Sequence, residues 1–331
     1  MSTDTSTPCS LTDQTSAGHF VLTRAESPVA LIEELGIVRV TGKDAVRFLH
    51  GQFTNAVENL GSRTVLAGYC SPKGRLLATM RLWKEGDDVM MMLPKAVAPA
   101  FLKRLRMFVL RDDVKFVCAC EDVRIYGVTG SAETVLEKAG LPLPAEGEVC
   151  REGNVTVLDA SPAGALEGIT PGGRRALVIA PTDAAPFETV SPGALWWASE
   201  IAAGTATVWP GTREMFVPQA VNYELTGGVV FNKGCYPGQE VISRVQHIGE
   251  ASRRAFFGWT EGTDAVLPGA PVYAGESEAG FVIESVAVDG RTLVFFSALL
   301  SSLVDTVSLA PAARPIEVLP LPYKIRNVLK D

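Results

Sequence analysis

The stretch Asn232-Lys233-Gly234-Cys235-Tyr236-Pro237-Gly238-Gln239-Glu240 constrains this chain more than any other. Two glycines bracket a cysteine and a tyrosine, a lysine stands two residues before the sulfur, and an amide and a carboxylate follow the second glycine. Glycine permits close backbone approach and left-handed dihedrals. Pro237 suits the first position of a helix, where a missing N–H is no loss, and Glu240-Val241-Ile242-Ser243-Arg244 would carry that helix on. Cys235 is then expected just ahead of a helix N-terminus. Unpaired N–H groups there, with Lys233 close by, would favour thiolate over thiol, which makes Cys235 the candidate reactive thiol and Lys233 its electrostatic partner.

A chain of 331 residues, 47% apolar and 20% charged, has room for two or three domains and a substantial core. Its formal charge of −7 speaks against nonspecific nucleic-acid binding, which neutralises many phosphates. The basic groups Lys103-Arg104-Leu105-Arg106 and Arg253-Arg254 are short and read as solvated faces. The longest apolar passage, Thr292 to Val304, is broken by serines and falls short of the ~20 residues that span a bilayer. The first eighteen residues lack the basic start and apolar run of a secretory leader, so a cytoplasmic protein with no membrane partner is expected. The six cysteines form no CxxC pair, and Cys118 and Cys120 fall on one side of a valine-rich strand pattern. They read as structural thiols in a reducing compartment.

Residues 1–18, rich in Ser, Thr and Asp, have little to bury and predict a disordered tail. From Gly36 to Thr41 the pattern alternates as a strand, and Ala45, Phe48 and Leu49 recur at helical spacing. Arg63 to Ser71, Gly74 to Trp83 and Val89 to Leu93 predict an antiparallel meander with turns at Pro72-Lys73-Gly74 and Glu85-Gly86-Asp87-Asp88. A helix over 97–108, strands over 114–118, 123–128, 155–158 and 176–179, a helix start at Ser131 and a helix over 193–203 follow. Strands and helices interleave without the strict alternation of a doubly wound sheet, so the class is α+β. After Arg244 short strands between Gly, Pro and Asp turns suggest a small β-barrel over 248–331, with residues 19–247 forming the preceding module.

Of the three histidines, His50 and His247 are the candidates to approach Cys235, but no third group that would orient either is identifiable. Gln239, Glu240 and Arg244 fall on the expected helix, with Glu240 and Arg244 spaced for an i,i+4 ion pair. Gln219 and Asn222 lie in a polar approach to the signature, placed to meet a ligand or to tie loop backbone.

Lys233-Gly234-Cys235-Tyr236-Pro237-Gly238-Gln239-Glu240 resembles the K-G-C-[FY]-x-G-Q-E signature of the YgfZ family, folate-binding relatives of the aminomethyltransferase (T-protein) of glycine cleavage. The resemblance extends through Phe216-Val217-Pro218-Gln219, Asn222, Gly227-Gly228-Val229, Gly51-Gln52, Tyr69 to Arg75 and Leu319 to Tyr323. It implies a GcvT-like folate-binding module of two subdomains with antiparallel sheets and a C-terminal β-barrel. It also implies tetrahydrofolate or a derivative as cofactor, held by Trp196, Asn222 and Gln219, with Trp196 as the stacking wall and Trp197 in the core. The function it implies is support for iron–sulfur cluster assembly or repair in client enzymes, including radical enzymes that methylthiolate tRNA. The expected partners are folate and iron–sulfur assembly proteins or clients, with no direct nucleic-acid contact. A lone thiolate cannot hold a cluster, so Cys235, placed at the cleft, is expected to act as a transient iron ligand rather than part of an intrinsic metal site. The alternative is a folate-dependent one-carbon (aminomethyl) transferase or demethylase. Against it, the strand where the T-protein carries its catalytic aspartate reads Arg75-Leu76-Leu77-Ala78-Thr79 here. The T-protein's pterin-gripping R-L-E-A-G segment reads Glu200-Ile201-Ala202-Ala203-Gly204.

Overall fold

Three sheets turn one face each toward a shared apolar centre, and this explains why so many strands read as continuous apolar runs. The computed structural model describes residues 17–119, 122–161, 164–247 and 251–325. Most of the tail expected at 1–18, and Cys120, lie outside the described residues. Among these residues there are five α-helices: α1 (Ala45–His50), α2 (Ala98–Arg106), α3 (Ala132–Lys138), α4 (Ala194–Ala202) and α5 (Gln239–His247).

The first sheet is antiparallel throughout, in the order Val65–Cys70, Leu76–Glu85, Asp88–Pro94, Leu35–Thr41, Lys115–Cys118. Its strand Asp88–Pro94 shows how sequence becomes packing. Successive side chains point to opposite faces, so Val89, Met91 and Leu93 join a cluster with Phe48, Phe101 and Leu105 of α1 and α2. Met90 and Met92 face the centre instead.

The second sheet runs Ser191–Pro192, Val29–Leu31, Val123–Val128, Ala176–Pro181, Val155–Asp159, Val149–Glu152. It splits its residues in the same way: Tyr126, Val128 and Val178 pack with α3, while Ile125, Leu158 and Leu177 face the centre. Between the sheets lies α4, all nine of whose residues are buried. A helix mostly apolar round its circumference belongs in an interior, and its buried Ser199 and Glu200 accept from Arg175.

The C-terminal strands form a third sheet, whose pairing among the described residues does not confirm the expected barrel. Its pairing path runs Ala313–Pro315, Val307–Ala310, Pro271–Ala274, Ser277–Val288, Arg291–Leu299, Arg253–Glu261, Glu317–Leu319. Among the described residues no ladder joins the two ends. Both end strands are three residues long and follow one another in the chain, separated by Ile316 alone. The strand His19–Leu22 also joins this sheet, parallel to the end of Ser277–Val288. A segment expected with the first module therefore contributes to the C-terminal sheet. No helix among the described residues is long and apolar enough to cross a membrane.

Candidate functional site

The signature folds as a loop wedged between two turns of the first sheet's subdomain. Gly238 has φ +81°, and a Cβ there would lie 2.5 Å from the Ser71 carbonyl oxygen and 2.6 Å from Gly74 Cα. Only glycine tolerates both the dihedral and the contact. The helix begins at Gln239, so Pro237 is not its first residue. The positive φ at Gly238 turns the chain before helical dihedrals can start. Cys235 thus stands four residues ahead of α5 in the chain.

Lys233 does not point its charge into open solvent. Its ammonium donates to the carbonyl oxygens of His50 and Phe53, the latter at 2.6 Å, and lies 5.1 Å from the centroid of the Tyr236 ring. Burial lowers its pKa from 10.5 to about 8. His50 Nδ1 accepts the Val57 N–H at 3.3 Å, which leaves the proton of a neutral ring on Nε2. Burial first, then Lys233, lowers the His50 pKa. Tyr236 is buried in the central core, and among the described residues its hydroxyl has no partner. Cys235 is exposed.

The remaining signature positions divide by role. Arg244 donates to Glu240 at 3.0 Å across the expected i,i+4 spacing, and both are exposed. Gln219 donates its amide to the Ile242 carbonyl at 2.8 Å. Asn222, with φ +57° after the 3-10 turn Pro218–Val221, donates to the Ala255 carbonyl at 2.8 Å and to Tyr323 Oη at 3.3 Å. Tyr323 in turn donates to Gly204 O at 2.8 Å. Gln219 and Asn222 therefore fasten α5 and the C-terminal sheet to the approach segment.

A narrow cavity of about 50 Å³ lies where the first two sheets meet α4. Trp196, Trp197, Glu200, Arg81, Thr79 and Tyr223 line it. None of residues 232–240, nor Gln219 or Asn222, is among the lining residues. Trp196 thus lines this cavity, and Cys235 is not among its lining residues. The glycine-framed loop is tied to the turns at 50–53 and 71–74.

Trp196 is held by what lies around its ring. A Cβ at Gly127 would come within 2.1 Å of Trp196 Cε3, so the indole rests on the bare backbone of Val123–Val128. The Arg175 guanidinium stands 5.0 Å from the ring centroid. It also donates to Glu200 Oε1 at 2.7 Å, Ser199 Oγ at 3.0 Å and the Ala160 carbonyl at 2.9 Å. Burial lowers the pKa of Arg81, and Glu200 opposes that shift.

Trp197 also lines the cavity and donates its indole N–H to Glu34 at 3.1 Å. It stacks on Phe20 at 5.0 Å and meets Trp209 edge-on at 5.0 Å. Trp209 donates its N–H to Glu284 at 3.0 Å. Burial raises the pKa of Glu34 and raises that of Glu284 well above the carboxylate range. Sequence reasoning missed Arg81, Arg175, Glu34, Glu284 and Gly127. A glycine inside an otherwise apolar strand is the one local signal that would have pointed here.

The cavity supplies an aromatic wall, one carboxylate, one guanidinium and threonine hydroxyls, a set suited to a planar polar ring with an anionic appendage. No group of three or more metal-binding side chains occurs among the described residues. No protein-family profile matches the chain. It is similar to the "tRNA-modifying protein YgfZ" of Yersinia enterocolitica, 29% identical over 322 residues covering 92% of this chain and 96% of that one. The Hamiltonella defensa protein of the same name is 31% identical over 246 residues, covering 72% and 71%. In fold the chain is similar to the glycine cleavage system aminomethyltransferase T of Bartonella henselae, with TM-score 0.61 and 15% identity over 84% of this chain and 80% of that one. With its signature intact from Lys233 to Glu240 and a relative above 30% identity over most of both lengths, this chain belongs to the YgfZ family.

Proposed function

We propose that this chain binds tetrahydrofolate or a derivative in the cavity beside Trp196. We further propose that it supports iron–sulfur cluster assembly or repair in cytoplasmic client enzymes, tRNA-modifying radical enzymes among them. The observation that carries the folate reading is the pairing of an indole wall with a single carboxylate, Glu200, in a cavity lined also by Arg81. A pterin presents adjacent N–H donors on one edge, which suit a carboxylate acceptor. Of the two Glu200 oxygens, Oε1 is taken by Arg175. The guanidinium of Arg81 suits the acidic tail of a folate. Bound, the folate would serve as an effector or a carrier of one-carbon units.

Cys235 is the residue proposed to meet iron, sulfur or a client thiol, since it is exposed on a loop anchored at both ends. A thiolate is a soft ligand, and one alone shares its metal with a partner. Lys233 and Gly234 hold that loop against residues 50–53, so their role is to present the sulfur. An aminomethyl transferase or demethylase would draw on a carboxylate of the strand Leu76–Glu85. The positions of that strand lining the cavity are Thr79, Met80 and Arg81, so this reading is not favoured.

The test is titration of the purified protein with tetrahydrofolate, followed by tryptophan fluorescence, with Trp196→Phe as control. Quenching that saturates in the wild type and weakens in the variant is expected. A flat wild-type response removes folate from the account. Separately, Cys235→Ala should lower the activity of cluster enzymes in cells that depend on this protein, and unchanged activity would make the cysteine structural.

A further inference from the structure

A groove of about 530 Å³ opens where the strand His19–Leu22 of the third sheet passes the start of α4. Its size is that of a small-molecule pocket, about 300–1,000 Å³. Phe20, Val21, Leu31 and Pro192 give it apolar walls. Its polar side chains are His19, Glu33, Glu34 and Ser191.

What each polar group can still bind follows from the partners it already has. Ser191 Oγ accepts the Glu26 and Ser27 N–H groups, each at 2.9 Å, and donates to the Ser27 carbonyl at 2.7 Å, so it is satisfied. Ser285 Oγ gives its one proton to the Val266 carbonyl at 2.7 Å and therefore accepts from His19 Nδ1, also at 2.7 Å. Burial first, then Arg314, lowers the His19 pKa. A neutral ring protonated on Nδ1 presents Nε2 as an acceptor. Arg314 itself is engaged by the carbonyls of Glu261, Gly262 and Asp264. Glu34 gives Oε2 to the Trp197 indole and keeps Oε1. A Cβ at Gly193 would lie 3.1 Å from that Oε2, which sets the carboxylate against the first turn of α4. The helix end favours its ionised form against the upward pull of burial.

Everything left over among these side chains is an acceptor. Neither Glu33 nor Glu34 enters an ion pair among the described residues. Lys95 acts on Glu34 only through longer-range attraction, and no lysine or arginine is among the described lining residues. Residues 1–16, which precede the strand in sequence, contain no lysine, arginine or histidine. His19, Glu33 and Glu34 do not make up a metal-binding group. The partner this groove lacks is thus an organic cation with an apolar body.

We propose that the groove is a binding site for an alkylammonium group, its charged head held by Glu33, Glu34 and His19 Nε2 and its methylenes lying on Phe20, Val21 and Leu31. This inference goes beyond the folate reading and does not depend on it. The site nevertheless adjoins the folate cavity, since Phe20 stacks on Trp197 and Glu34 holds the Trp197 N–H, while Trp197 lines that cavity.

The probe is hexylamine, titrated by calorimetry into the full-length protein beside hexanoate, hexanol, spermidine and acetyl-Ala-Lys-Ala-amide. Saturable binding of hexylamine is expected, with none of hexanoate or hexanol at the same concentrations. Glu34→Gln keeps an acceptor for the Trp197 N–H and should weaken hexylamine binding at least about tenfold. Val21→Lys sets a cation at an exposed part of the wall and should abolish it. Glu167→Gln alters a carboxylate outside the groove and should leave binding unchanged. An unchanged thermal midpoint will show that each variant is folded. Spermidine binding more tightly than the peptide would identify a free polyamine as the source of the ammonium, and the reverse a lysine of a partner protein; either supports the site. Hexanol or hexanoate binding as well as hexylamine, equal binding by Glu34→Gln and the wild type, or no binding of any amine would overturn the proposal.

Discussion

Replacing Gly127 by alanine tests the cavity wall at its most confined contact. The new methyl would lie 2.1 Å from Trp196 Cε3, 2.6 Å from Cδ2 and 3.0 Å from Cζ3, whereas carbons rest at roughly 3.5–4.0 Å. The φ at 127 is not in the left-handed region, so the substitution probes space rather than backbone strain. The ring has little room to retreat, because Trp196 is buried and Arg175 stands over it while bonded to Glu200, Ser199 and Ala160. Overpacking costs about 1–3 kcal/mol, and we expect a loss near the top of that range. A glycine in an uncrowded strand would give the opposite sign, since alanine there is favoured by roughly 0.5–1 kcal/mol. The sign of the change therefore carries information in itself. Urea titration followed by circular dichroism measures it, with Gly172→Ala as control, where the nearest atom is Ala165 Cβ at 3.6 Å. In a Trp196→Phe background the penalty should shrink by about 1 kcal/mol or more, the coupling expected of touching residues. If Gly127→Ala is as stable as the wild type, the indole does not rest on this backbone and the cavity wall is wrongly placed.

Three further substitutions separate the buried polar groups. Arg175→Met strands the Glu200 carboxylate in the interior and should cost about 3–5 kcal/mol, most of it recovered by adding Glu200→Gln; no recovery in the double variant would refute a paired charge. Tyr236→Phe removes a buried hydroxyl without a partner among the described residues and should leave stability unchanged or raise it by up to about 1 kcal/mol, so a clear loss by thermal unfolding would count against that reading. Glu284 is held above the ordinary carboxylate range by burial, so the folded state keeps a proton that the unfolded state releases. Its contribution is then fullest below the ordinary value and declines as pH rises from there toward the folded value. Glu284→Gln keeps an acceptor for the Trp209 N–H and should gain on the wild type as pH rises from 5 to 8. An equal difference at both pH values would show that Glu284 ionises freely in the folded protein.

What could be read from the chain and what could not divide by the distance over which the physics acts. The strand at Val89 to Leu93 was legible from β-rich composition, yet its second buried face was not, because that face exists only once α4 and the other sheets arrive. The Glu240–Arg244 pair follows from helical spacing, whereas Arg175–Glu200 joins a strand edge to a helix across the core and leaves no periodic trace. The C-terminal strands were visible as short runs between turns, but closure depends on how the ends of the path meet, and that leaves no local pattern. The signature illustrates the same limit at the level of single residues. Its glycines announced a constrained backbone, and the constraint at Gly238 is contact with Gly74 rather than the start of a helix at Pro237. Lys233 likewise reads as a neighbour of Cys235 in the chain, while its ammonium is spent on the carbonyls of His50 and Phe53. On the proposed reading, what would suit Cys235 to meet a partner is its exposure on a loop fixed at both ends. A variant that loosens the loop, such as Lys233→Met, should therefore impair the protein as Cys235→Ala does while leaving the thiol in place.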